Sequence, residues 1–381
     1  MRWFGRKAAP ASARPPLARA WINVSWLGDQ PWPQDYEAQL KAAVLSNPVA
    51  QRAMRLVSEA AGSATLVARA DDAGKAEEAL RLVAARSAGQ SLVETLAAHI
   101  LLHGNGYVQI GHGPDGLPVN LYALRPDRVS VEQDGLGWPV AYRYRAGESE
   151  MRYTSEDAAG RTAVIHVKAL NPANDHYGLG CLGAAAGPVA IHNAATGWNK
   201  ALLDNAARPS GALIYNPKDG GVLSSEQFDR LKAELEQTFQ GQGNAGRPLL
   251  LDGGLSWQSM SLSPADMDFV ELKAAAARDI ALAFGVPPVL IGLPGDSTYS
   301  NYREANKALW RQTVLPLAEK ILGALAQGLR PFVPGLALSI DLNALPALVE
   351  DRMALWDRVA AAPFLSDEEK RAMLGLGEAA A

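Results

Sequence analysis

One helix with both ends written into the sequence sets the frame for this chain. Ser263 is placed to cap it, Pro264 suits the first turn, and Asp266 brings an acid to the third position. Phe269, Leu272, Ala276, Ile280 and Phe284 then recur at helical spacing until Gly285-Val286-Pro287-Pro288 ends the run. Its middle, Ala274–Ala277, is a small-residue face that lets another helix approach closely. Upstream, the stretch from Pro188 to Ala207 reads as a second helix, closed by Arg208-Pro209-Ser210-Gly211. Between the two lies a compact insertion with its own apolar face. It holds a short strand, Ala212–Tyr215, then a helix from Ser224 to Phe239, and then a strand pair formed by Pro248–Leu251 and Ser256–Leu262. The helix has Gln227 in the capping-box position and lines up Phe228, Leu231, Leu235 and Phe239. Downstream, a Gly/Pro/Ser/Thr loop reaches about Ser300 and opens a long helix, about Asn301–Gly328, interrupted near Pro316.

The first half is more mixed. Helices are expected from Asn47-Pro48, near 75–86, and from Ser91, where Glu94 completes a capping box and Gly104-Asn105-Gly106 stops the run. Tyr107–Ile110 and Leu117–Leu124 flank Pro114-Asp115-Gly116 and read as a hairpin. Val129–Glu132, Val140–Arg145 and Ala163–Leu170 continue the β-rich stretch. The tail after Pro346 is helical and acidic, divided by Pro363.

The chain has 381 residues, 36 basic against 40 acidic, for a net charge of −4. A protein that wraps nucleic acid over its whole surface would be basic, so any contact with DNA must be local. The single cysteine, Cys181, excludes an intramolecular disulfide framework and suits a reducing compartment. The apolar stretch Ile280–Gly295 is too short for a membrane span and is broken by prolines. Residues 1–19 carry five basic side chains and no acid and read as a disordered arm, followed by an extended segment anchored by Trp21, Trp26 and Trp32.

Motifs that carry chemistry are scarce. Gly178, Gly180 and Gly183 imitate a dinucleotide fingerprint, but seven residues separate them from the preceding strand. They support a nucleotide-dependent oxidoreductase as the enzyme alternative, and the basic arm supports a nucleic-acid-binding protein as another. His99 and His103 are spaced to share one helical face, without the Glu of a metalloprotease motif, and read as packed or capping histidines. No catalytic set, metal site or cofactor is expected.

Several short stretches, taken in order, resemble the phage portal protein family of long-tailed double-stranded DNA phages, prophages and gene transfer agents. They include 101–108 (LLHGNGYV), 124–129 (LRPDRV), 164–167 (VIHV) followed by Gly178-Leu179-Gly180, Arg208-Pro209-Ser210-Gly211, and 244–248 (NAGRP) with 250–254 (LLDGG). The most specific is 283–288 (AFGVPP), continued by Thr298-Tyr299-Ser300-Asn301. The resemblance covers roughly residues 45–330 and implies an α+β subunit with a wing (45–183), two stem helices (184–207 and 264–284), a small α/β clip (208–263) and a tunnel loop (285–301). A long helix returning to the wing (302–345) and a short crown or tail (346–381) follow, with 1–44 as arm and extended segment. It also implies a non-enzymatic ring, usually of twelve copies, at one capsid vertex in the virion, assembled in the host cytoplasm and passing double-stranded DNA. Its partners would be the major capsid protein, the terminase large subunit (the packaging ATPase) and a head-tail adaptor protein. Carried onto this chain, the channel residues are Gly292, Pro294, Asp296, Ser297, Thr298, Tyr299 and Asn301. Copies would pack through Ala274, Ala276 and Ala277, and the clip would dock through Phe228, Arg230, Lys232 and Arg247.

Overall fold

The structure, a computed structural model, describes residues 35–157, 159–204, 211–215, 224–230, 233, 255–259, 269–293 and 299–375. Asp35 caps α1 (Tyr36–Leu40), which passes into a π-helical turn, Lys41–Leu45, whose Ala43 and Val44 are buried. Of the arm and extended segment expected for 1–44, residues 1–34 lie outside the described residues, and Tyr36–Val44 is helical instead of extended. Tyr36, Leu40, Ala43 and Val44 follow a helical period, and packing against the core outweighs the short length of the run.

Most helix ends are where the caps predict. Asn47 accepts hydrogen bonds from the Val49 and Ala50 amides to start α2 (Pro48–Ser63), with Pro48 in the first turn. Asp72 caps α3 (Ala73–Ala84). Ser91 accepts from the Glu94 amide to start α4 (Leu92–His103), which Gly104 closes at φ 85°. The strands divide into small antiparallel sheets. β4 (Asn105–His112) lies between β5 (Pro118–Leu124) and β9 (Val164–Lys168). β6 (Val129–Gln133), β7 (Pro139–Ala146) and β8 (Ser149–Thr154) form a separate meander. The strand β8 had no sequence expectation; Met151 and Tyr153 alternate with Glu150, Arg152 and Thr154, and Glu132 holds it by bridging Arg143 and Arg152 at 3.0 and 2.9 Å. β1 (Leu66–Arg69) pairs with β12 (Ala337–Ile340), stitching two distant parts of the chain, and the two-residue strands β2 (Arg86–Ser87) and β3 (Gln90–Ser91) pair with each other.

One core joins α2, α4 and sheet β5-β4-β9 to the helices of the second half, and a smaller cluster of Tyr107, Leu124, Val129, Tyr142 and Val164 fastens the meander to it. α5 (Cys181–Asp204) begins seven residues earlier than Pro188 predicts. Pro188 removes one helical hydrogen bond, to Ala184, and Ala184 is exposed so that water can reach its carbonyl. β10 (Gly211–Tyr215) pairs with β11 (Leu255–Ser259), a partner the sequence did not foretell; Pro248–Leu251, the expected partner of the strand at Ser256, lies outside the described residues. In the second half, α6 (Phe269–Ala283) is followed by a 3-10 turn, Pro288–Ile291. The expected break near Pro316 is a π-helical stretch instead: α7 (Tyr299–Leu309) runs through Trp310–Val314 into α8 (Leu315–Leu329). The bulge lets the chain pass a residue without an N–H and stay helical. α9 (Val349–Ala360) and α10 (Asp367–Met373) close the described chain, and Pro363 separates them as expected.

Candidate functional site

Helices α5 and α6 pack side by side, and the sequence of α5 explains the pairing. Leu182, Ala185, Val189, His192 and Ala195 form one buried stripe at three- and four-residue spacing. α6 answers with Ala276, Ala277, Ile280 and Ala281, all buried. The small-residue face is thus consumed inside the single chain; Ala274 is half-buried, and only Ala275 is exposed. A larger side chain at Ala276 strikes the subunit's own helix pair before any neighbouring copy, which corrects the expectation that this face serves packing between copies.

The opposite face of α5 carries a second stripe that sequence reading passed over. Ala184, Gly187, Ile191, Ala194 and Trp198 also recur at three- and four-residue spacing, and all are exposed, Ile191 by 45% and Trp198 by 43%. No Asp, Glu, Lys or Arg occurs from Cys181 to Asn199. α6 adds Val270 and Leu282, also exposed. The signal was available as an uncharged helix much longer than its buried stripe requires.

Two polar fastenings hold α5 to the body. At its middle, buried Asn47 donates to Asn193 Oδ1 (2.9 Å) and to His192 Nδ1 (3.2 Å), and Asn193 donates to the Ala42 carbonyl. At its start, Asn105, fully buried, accepts from the Gly178 amide (2.8 Å) and from His166 Nε2 (3.1 Å) while donating to His103 Nδ1 (3.1 Å). Gly178 and Gly180 lie against the backbone of Gly104 and Leu102, leaving no room for a Cβ. That closeness removes the dinucleotide reading, because the space a pyrophosphate needs is filled by the protein's own main chain. His166 stacks on Tyr107 at 4.3 Å. His103 meets the edge of Tyr36, so the two expected packing histidines are packed ones. No cluster of His, Cys, Asp and Glu that could hold a metal occurs among the described residues.

After α6 the chain turns at Gly285 (φ 66°), whose carbonyl accepts from Thr313 Oγ1 at 2.6 Å. The Pro288–Ile291 turn packs on α7, and Gly292 (φ 82°) leads out of it. The excursion expected to line a channel therefore starts and ends on one anchored base. Tyr299 and Asn301 fall in the first turn of α7, and Asn301 is exposed; Pro294, Asp296, Ser297 and Thr298 lie outside the described residues. Of the expected docking residues, Phe228 and Arg230 are exposed on a helical stretch, 225–230, that Ser224 and Gln227 cap reciprocally. Lys232 and Arg247 lie outside the described residues. α7 is tied to α9 by Lys307, which is buried and meets Glu304, Glu350 and Asp351, while Arg303 reaches Glu350 and Arg311, just past α7, reaches Asp351. Burial works against the Lys307 charge, yet Asp351 and Glu304 hold its pKa above the ordinary lysine value.

A model of the phage portal protein family matches residues 48–375. The chain belongs to that family. A protein of Rickettsia bellii is 39% identical over 343 residues, covering 88% of each chain. Among solved structures, a chain in the neck of a native gene transfer agent particle, computed with C12 symmetry, is 46% identical with a TM-score of 0.69, covering 91% of this chain and 95% of that one. A phage portal protein from Corynebacterium diphtheriae shares the fold at 17% identity and a TM-score of 0.56, covering 83% and 99%. The portal family is a structural class, which agrees with a pair of helices built for packing and with the main chain filling the glycine turn.

Proposed function

We propose that this chain forms a twelve-copy ring at one vertex of a particle and passes double-stranded DNA through its centre, supplying no catalysis itself. The observation that carries the reading is the uncharged outer face of α5, from Ala184 to Trp198, in a chain of the portal family. A helix with apolar stripes on two opposite faces is stable in water only when both are covered. One is covered by α6, and the second is proposed for the neighbouring copy. In this reading, residues 45–183 with 302–345 are the wing, α5 and α6 the stem, 208–263 the clip, and 346–381 a short crown. Subunits assemble in the host cytoplasm and end in the particle. The capsid protein, packaging ATPase and head-tail adaptor are the proposed partners, the last two meeting the clip near Phe228, Arg230, Lys232 and Arg247.

The test of the ring is the mass of the native assembly. Twelve copies of 40.5 kDa give about 490 kDa. Ile191→Asp places a carboxylate in each proposed contact and should leave a folded chain of monomer mass. A parent protein that stays monomeric at high concentration, or an Ile191→Asp ring as stable as the parent's, would refute the assignment.

The tunnel loop, 285–301, is proposed to narrow the channel through Gly292–Asn301, with Gly292 and Pro294 shaping it. Ser297, Thr298, Tyr299 and Asn301 offer neutral hydrogen-bonding groups. Asp296 adds a ring of negative charge that repels phosphates and keeps the duplex mobile. Asp296→Lys should therefore retard DNA movement at low salt while rings still form, with the defect fading as salt rises. DNA transit equal to the parent's at low salt would place the loop away from DNA.

A further inference from the structure

Strands β6, β7 and β8 form a sheet with two unlike faces. Val129, Val131, Tyr142, Tyr144 and Tyr153 lie on the face that packs on the smaller core cluster. Glu132, Arg143, Arg145, Glu150 and Arg152 share the outer face. β8 is an edge of this sheet, and its register with β7 runs unbroken from Ala146↔Ser149 to Ala141↔Thr154. Next in that register, the Ser155 amide donates to the Val140 carbonyl, so the amides at 153, 151 and 149 also turn toward β7. The N–H and C=O groups of Glu150, Arg152 and Thr154 therefore face outward, and no strand among the described residues pairs with them.

Edge strands are ordinarily guarded by a proline, a bulge or a charge standing over the edge. β8 has no proline and no bulge, and its charges are folded back across the sheet. Arg152 reaches Glu132 on β6 at 2.9 and 3.1 Å, and Glu150 reaches Arg143 and Arg145 on β7 at 3.7 and 3.6 Å. Met151, on the core-facing side, is left 47% exposed where the apolar face stops. Positive charge is in surplus here, in a chain of net charge −4. Glu132 is shared by Arg143 and Arg152, and Glu150 by Arg143 and Arg145. A recess of about 470 Å³ beside them adds Arg128, while its Asp127 is held by Arg125 at 2.8 and 3.1 Å.

We infer that β8 accepts an added strand from a partner protein, an extended segment in which apolar side chains alternate with carboxylates. Its main chain bonds to Glu150, Arg152 and Thr154, its apolar side chains lie beside Met151 and Tyr153, and a carboxylate faces Arg152. Nucleic acid fits this edge less well. It brings no main-chain ladder, and its phosphates would meet Glu132 and Glu150. The ring reading neither requires nor supplies this contact.

Fluorescein-labelled peptides added to the full-length chain test it. The probe is a short peptide of alternating Val and Glu, and its control carries Lys in place of each Glu. Fluorescence anisotropy at low salt should show the Glu peptide binding at least about tenfold more tightly than the Lys peptide. Amide exchange at Arg152 and Thr154 should slow when it binds. Thr154→Pro, at an exposed position, removes an outward N–H and no bond to β7, so the sheet persists. Its affinity for the Glu peptide should fall by roughly tenfold, the worth of one hydrogen bond. Equal affinity for the two peptides, or a Thr154→Pro chain that binds like the parent, would overturn the inference. A short DNA duplex that displaces the peptide and binds Thr154→Pro undiminished would overturn it in favour of nucleic acid. Slow exchange at Arg152 and Thr154 in the assembled chain without peptide would overturn it in favour of a neighbouring copy.

Discussion

Gly178→Ala should unfold most of the population under conditions where the parent is folded, while Gly187→Ala, on the same stretch of chain, should be neutral or slightly stabilising. At Gly178 an added Cβ overlaps the Gly104 carbonyl and lies 2.7 Å from the Ala169 nitrogen and 2.9 Å from its oxygen. These obstacles are main chain. Gly104 is held at φ 85° as the end of α4, and its carbonyl accepts from the Ala169 amide at 2.8 Å. The neighbours have no rotamer to change, so the clasp must open, and Asn105 then loses its bond to the Gly178 amide as well. We expect a loss of about 3–5 kcal/mol, the range reached when overpacking and a broken buried hydrogen bond coincide. Gly187 has nothing within 4 Å of its Cβ position, and in a helix alanine is better than glycine by about 0.5–1 kcal/mol. Urea titration of dissociated subunits measures both. A Gly178→Ala protein within about 1 kcal/mol of the parent would mean that α5 is not clasped at this point.

Acid should weaken the fold well before its carboxylates titrate. Burial, followed by the charge of Lys168, lowers His166 to about 3, and burial, followed by the charge of His103, lowers His99 to about 4. His99 Nδ1 has no hydrogen-bond partner among the described residues, so a proton there would be buried without compensation. Both rings are neutral in the folded chain, whereas in the unfolded chain they titrate near 6.5. The stability they contribute is complete above that value and is lost as pH falls toward their folded values. Between pH 7 and pH 5 the two together should cost about 3–4 kcal/mol. Glu132 is held down to about 2 by hydrogen bonds from Arg152 and Arg143, and its contribution is lost only below the ordinary glutamate range. The histidine window is therefore separate. Burial also lowers His103 and His192 and adds to the same loss; urea denaturation at pH 7 and pH 5 reads the sum, and His99→Leu should reduce the difference by about 1.5–2 kcal/mol. A parent protein equally stable at both values would show that these rings are hydrated in solution.

The resemblance of short motifs to the portal family already pointed to the class of molecule, and the family match bears that out. The subdivision of the insertion and the loop was legible only as far as Ser224, Gln227, Gly285 and Gly292, whose hydrogen bonds and backbone angles are local. Strand partners were less legible. β1 and β12 are four-residue strands nearly 270 positions apart, and neither run has enough alternation to announce itself. The fastenings were missed for the same reason. Asn105 reads as a stop signal after α4 because it stands between two glycines, and nothing near it in sequence foretells Gly178 and His166 as partners.

By itself, the sequence determined where α2, α3 and α4 begin and where α4 ends. Asn47, Asp72, Ser91 and Gly104 act on backbone groups within a few residues, so their effect survives without knowledge of the rest of the chain. It also determined that α5 would carry no charge over most of its length. Only the tertiary structure decided which of its two apolar stripes faces α6, and that Ala276 and Ala277 belong to the interior of one chain. Helical periodicity allows either stripe to be the buried one. The Asn47 and Asn105 fastenings break that degeneracy, because each fixes the rotation of α5 through partners that chain folding alone brings within about 3 Å.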